Sequence, residues 1–95
     1  MNNIESGWEK LLTVCLKCDD KQQLSDLLKA VLTPEEYENV AKRMLILEAL
    51  MKKELSQRDM AEKFDVSIAK ITRGSNELKR MPAVVKAEFE KIFCE

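Results

Sequence analysis

Along the first sixteen residues the apolar positions gather on one side of a helix: Ile4, Trp8, Leu11, Leu12, Cys15 and Leu16 recur at spacings of three and four, the period of a half-buried helical face. After a polar break at Asp19-Asp20-Lys21, a shorter stripe of Leu24, Leu27, Leu28 and Val31 predicts a second helix. Thr33-Pro34-Glu35-Glu36 then reads as a helix start. Thr33 caps, Pro34 fits the first turn, where its missing N–H costs nothing, and Glu36 completes a capping box. This third helix is expected to run to about Lys53. Its second half, Met44-Leu45-Ile46-Leu47-Glu48-Ala49-Leu50-Met51, is apolar almost all round and has to be covered on every side. A chain of 95 residues has few other helices to do this, so part of the cover is expected from a second copy.

Beyond Lys53 the pattern shortens. Ser56-Gln57-Arg58-Asp59 opens a fourth helix ending near Lys63, a fifth runs from about Ser67 through Leu78, and Pro82 restarts the chain into a sixth striped by Val84, Val85, Phe89, Ile92 and Phe93. Two of these, in the segment QRDMAEKFDVSIAKITRGSN from Gln57 to Asn76, are short helices separated by a turn of three or four residues. That is the outline of a helix-turn-helix, placed at about residues 56–78. Met60, Phe64, Val66 and Ile71 supply its shared core, and Ala61 is small where one helix crosses the other. Asp65 holds the turn position often taken by glycine, and Asp tolerates the left-handed conformation better than most residues. Ser67 caps the second helix, which places Ile68, Ala69, Lys70 and Thr72 in the half that meets base edges in a major groove.

Composition narrows the classes. The chain has two glycines and two prolines, too few breakers for a sheet rich in tight turns, so the fold class is all-α. No apolar run approaches a membrane span. Met1-Asn2-Asn3-Ile4-Glu5 lacks the basic and apolar regions of a signal peptide, and a cytoplasmic location is expected. Cys15 and Cys18 form a C-x-x-C, but there is no histidine and only three cysteines in all. A structural zinc site is therefore short of ligands, and no metal is expected. Neither a nucleophile motif nor a phosphate-binding loop is present, so no enzyme is predicted. The net charge of −1 hides an asymmetry. Residues 1–40 carry eight acids against four lysines, whereas residues 51–80 carry eight Lys and Arg against five acids. The basic excess coincides with the helix-turn-helix, where Arg58, Lys63, Lys70 and Arg73 would face phosphates. The competing reading of the same face is a helical adaptor that binds protein.

At Ile71-Thr72-Arg73-Gly74-Ser75-Asn76 the sequence resembles the bacterial tryptophan repressor family. Leu32-Thr33-Pro34, Arg43 and Ser56-Gln57-Arg58 stand at that family's spacings, Trp8 fits its first helix, and the likeness covers most of the chain. The resemblance implies a single domain over residues 1–95, six helices per chain, an intertwined homodimer, and operator double-stranded DNA as partner. It also implies L-tryptophan as corepressor, with no other cofactor. Arg43 and Arg73 would sandwich the indole, Arg73 and Thr33 of the partner subunit would meet the carboxylate, Leu32 would close the pocket from the partner subunit, and Gly74 would leave room for the ring. The DNA contacts implied are Gln57, Arg58, Lys63, Ser67, Ile68, Ala69, Lys70, Thr72 and Arg73. Four positions depart from the familiar pattern. Ala61 replaces a basic residue and Lys70 a threonine, which bears on the operator. Ala30 replaces a leucine, and Glu77 a serine beside the ligand's amino group, which bears on the ligand. An alternative is a repressor of the same fold that answers to another small ligand or to none.

Overall fold

The structure is a computed structural model describing residues 2–94. It contains six helices and, among the described residues, no strand: α1 (Asn3–Leu16), α2 (Lys21–Val31), α3 (Pro34–Lys52), α4 (Gln57–Phe64), α5 (Ile68–Arg80) and α6 (Ala83–Phe93). The chain divides into two compact units, Met1–Tyr37 and Glu38–Glu95.

In the N-terminal unit each helix starts on a side-chain cap, which satisfies amide groups that a helix leaves without a partner. The Glu5 N–H donates to Asn2 Oδ1 at 2.7 Å, and the Gln23 N–H donates to Asp20 Oδ1 at 2.8 Å. The capping box at the head of α3 forms as expected: the Glu36 N–H donates to Thr33 Oγ1 (3.1 Å) and the Thr33 N–H to Glu36 Oε1 (2.9 Å). The apolar stripes of α1 and α2 form too, but neither helix contains a buried residue. Leu24, Leu27 and Leu28 are half-buried, while Ile4 and Trp8 are 84% and 60% exposed.

The C-terminal unit holds the core. Ile46 and Ala49 from α3, Met60 from α4 and Ile71 from α5 are buried together, flanked by half-buried Leu50, Leu55, Ala61, Phe64 and Val66. The helix-turn-helix residues named from the sequence are thus the ones that pack. Of the apolar run in α3, Ile46, Leu47 and Ala49 are buried, Met44, Leu50 and Met51 are half-buried, and Leu45 is exposed. One chain alone does not enclose it. α6 buries nothing, although Phe89 and Phe93 stack with ring centroids 5.9 Å apart. No described helix is long and apolar enough to cross a membrane.

Candidate functional site

The helix-turn-helix is built from its caps outward. Ser56 Oγ accepts from the Asp59 N–H at 3.1 Å and starts α4; Ser67 Oγ accepts from the Lys70 N–H at 3.2 Å and starts α5. Between them Asp65 adopts the left-handed conformation (φ 53°, ψ 55°) as the C-terminal cap of α4, the conformation expected of it from the sequence. The Val66 N–H then donates back to the Ala61 carbonyl at 3.1 Å, which closes the end of α4 and redirects the chain into α5. Met60 and Ile71, both fully enclosed, lock the two helices together. Their polar sides face outward. Gln57, Arg58, Lys63, Ser67, Ile68, Ala69, Lys70, Thr72 and Arg73 are all exposed. Ile68, with 48% of its surface in solvent, is a large apolar group on this otherwise mostly polar face.

Behind the exposed face of α5 lies a cavity of about 470 Å³ between α3 and α5, within the range of small-molecule sites. From α3 it is lined by Asn39, Lys42, Arg43, Ile46 and Leu47, and from α5 and its end by Lys70, Arg73, Gly74, Glu77 and Met81. Arg43, Arg73, Gly74 and Glu77 were singled out from the sequence as ligand contacts, and one cavity brings all four together. Leu32 and Thr33 stand in the N-terminal unit, Leu32 as the extended cap of α2 and Thr33 in the capping box of α3. The Thr33 oxygen accepts from a backbone amide there, which leaves its hydroxyl proton to donate elsewhere. Ala30 is exposed in the same unit.

The cavity is cationic. Arg43, Lys70 and Arg73 make no ion pair among the described residues, where the four pairs are Lys42–Glu38, Lys52–Glu48, Arg80–Glu77 and Lys86–Glu90. The surface ion pair that would explain Arg43 without a ligand is therefore not formed. Two guanidinium groups free of carboxylate partners can stack on a flat ring and still pair with an acid. Glu77 is the one carboxylate on the lining, and its Oε1 accepts from Arg80 Nη2 at 2.6 Å. This pair is exposed, so little holds the carboxylate to Arg80. Gly74 does more than leave space. A Cβ there would come within 2.9 Å of Ile46 Cγ2, so the glycine also permits the close approach of α5 to α3. Asn39, Lys42, Lys70 and Met81 belong to the lining without having been named as ligand contacts. For two of them the signal was helical spacing from the arginines: Asn39 is four residues before Arg43 and Lys70 three before Arg73.

The C-x-x-C pair does not form a ligand cluster, and no group of metal-ligating side chains is found among the described residues. Cys18 Sγ donates to the Val14 carbonyl at 3.6 Å. Its thiol is pushed above its ordinary value by desolvation, then by neighbouring Cys15, Asp19 and Asp20.

Known proteins match this chain over nearly its whole length. The family model described as Trp repressor protein matches residues 6–92. A Trp operon repressor homolog of Chlamydia trachomatis serovar D is 46% identical over 90 residues, covering 95% of this chain and 96% of its own. A homolog of the same name from serovar L2 is 50% identical over 78 residues, with 82% and 83% covered. One from Vibrio parahaemolyticus is 43% identical over 84 residues, with 88% and 77% covered. With the six helices and the helix-turn-helix already in place, these matches show that the chain belongs to the Trp repressor family.

Proposed function

We propose that this chain is a tryptophan-dependent transcriptional repressor of the cytoplasm, a single functional domain that binds pseudo-palindromic operator DNA as a homodimer when L-tryptophan is bound. The observation that carries the reading is the meeting of Arg43, Arg73 and Gly74 in a cavity directly behind the reading face of α5.

The indole lies between the Arg43 and Arg73 guanidinium planes. Its carboxylate meets Arg73 and Thr33 of the partner subunit, Leu32 of the partner subunit closes the pocket, and its ammonium approaches Glu77. A ligand seated there supports α5 from behind. The exposed edge of α5, with Ile68, Ala69, Lys70 and Thr72, then enters the major groove, while Gln57, Arg58, Lys63, Ser67 and Arg73 meet the flanking backbone or base edges. Two such heads on a two-fold axis require half-sites about one helical turn apart or a multiple of it. No step in this account makes or breaks a covalent bond, and the protein acts as a binding switch without other cofactors.

Mobility-shift binding to a tryptophan-operon operator, with and without tryptophan, tests the reading. A shift strengthened at least about tenfold by tryptophan, the scale of allosteric coupling, is the expected result. Equal binding in both lanes would favour a repressor of the same fold answering to another ligand or to none. No DNA binding under any condition would favour the protein-binding adaptor.

A further inference from the structure

Lys42 lies one residue before Arg43 on α3, and its two ends meet different things. Lys42 lines the cavity, and its side chain is only 24% exposed. The ammonium donates to the Asp65 carbonyl at 3.1 Å and pairs with Glu38 Oε1 at 3.0 Å. Among the described residues, the Lys42–Asp65 contact is the one side-chain hydrogen bond joining positions more than four apart in sequence; it spans 23 residues.

The carbonyl it holds is significant. Asp65 caps α4 in the left-handed conformation, where helix carbonyls lack amide partners and the helix dipole presents its negative end. A cation there fills a vacant acceptor and opposes that charge. Ser67, the cap of α5, follows two residues later, so the anchored carbonyl is also the root of the reading helix. One turn further along α3, Ile46 meets Gly74 of α5. α3 therefore grips the helix-turn-helix at a polar point and an apolar point, and residues of both grips line the cavity.

We infer that Lys42 is a positioning residue that ties the ligand cavity to the turn of the helix-turn-helix and sets the angle at which α5 leaves it. This rests on the tryptophan-repressor reading for its effect on the operator, but the tether itself does not. A ligand in the cavity packs against the Lys42 stem while the Lys42 head holds the turn. Losing the ammonium should therefore loosen α5 without removing a ligand contact.

The test compares wild type with Lys42→Met, which keeps the stem, and Lys42→Arg, which keeps a donor. Lys42→Met should speed amide exchange at Val66, Lys70 and Ile71, whose N–H groups are bonded around the turn, about tenfold, a local opening, and Lys42→Arg should restore most of the protection. At saturating tryptophan, Lys42→Met should weaken operator binding about tenfold, the scale of a lost charge-assisted hydrogen bond. Tryptophan affinity without DNA should fall by a smaller factor than operator affinity, since Arg43 and Arg73 still line the cavity. The salt slope of operator binding should not change, whereas a direct phosphate contact would lower it by about one. A lowered slope, or a loss that Lys42→Arg does not repair, overturns the proposal. Unchanged exchange at Val66, Lys70 and Ile71 overturns it as well. If wild-type operator binding ignores tryptophan, the functional reading fails while exchange still decides the tether.

Discussion

Ile71 and Trp8 both sit on the apolar face of a well-capped amphipathic helix, yet Ile71 is fully enclosed and Trp8 keeps 60% of its surface in solvent. The contrast extends to the units around them. α3, α4 and α5 close a core within the C-terminal unit, while α1 and α2 of the N-terminal unit bury no residue. Each half therefore follows the same local rules, and only one satisfies them within a single chain. Periodicity shows which face of a helix requires cover but not what provides it. A second copy of the chain is the cover that the proposed function supplies.

The largest expected effect lies on the enclosed side. Ile71→Ala removes a side chain at the crossing of α4 and α5 and should cost about 2–5 kcal/mol, read as a lower denaturant midpoint with helix content lost in one transition. Trp8→Ala sharpens the comparison. Its cost should depend on protein concentration, because in the proposed homodimer the surface it removes is covered by the second copy. Trp8 is also the only tryptophan in the chain. Without added ligand, its emission should move to longer wavelength as the protein is diluted and the copies separate. Emission independent of dilution would break the proposed cause of the difference.

Gly74→Ala comes next. Ile46 Cγ2 lies 2.9 Å from the added Cβ, and it belongs to a branched side chain with little freedom to move aside. Overpacking should cost about 1–3 kcal/mol and narrow the cavity as well. Thermal melting and tryptophan titration should both report a loss. A variant that melts normally but fails to bind tryptophan would assign Gly74 to the ligand alone.

The smallest effect belongs to the N-terminal unit. The folded state raises the Cys18 thiol, first through desolvation and then through neighbouring Cys15, Asp19 and Asp20. Its contribution to stability is therefore complete below the ordinary thiol range and is lost as pH rises through the raised value. Melting should fall slightly in mild alkali, and Cys18→Ser should flatten that decline. Unchanged pH dependence in Cys18→Ser would assign the alkaline loss to other groups.

Much of this was legible in the chain. Thr33, Ser56 and Ser67 marked three helix starts because capping is local chemistry between residues three apart. Asp65 marked the left-handed turn because tolerance of that conformation belongs to the single residue. Arg43, Arg73, Gly74 and Glu77 emerged from a family pattern, and they share one cavity. Lys42 and Asn39 did not emerge as part of the lining. The Lys42 bond to Asp65 spans 23 residues and depends on how α3 crosses the turn, which no local spacing encodes. The second role of Gly74 was hidden likewise, because the atom it approaches, Ile46 Cγ2, is on another helix.

The central claim is that occupancy of the Arg43–Arg73 cavity and operator binding are one coupled equilibrium. Tryptophan affinity measured by calorimetry with and without operator, beside operator affinity measured with and without tryptophan, closes the thermodynamic cycle. The account predicts that each ligand strengthens the other by the same factor, about tenfold or more, and that Arg73→Ala abolishes both gains. A factor of one on both sides, with tryptophan and operator each still bound, would contradict it.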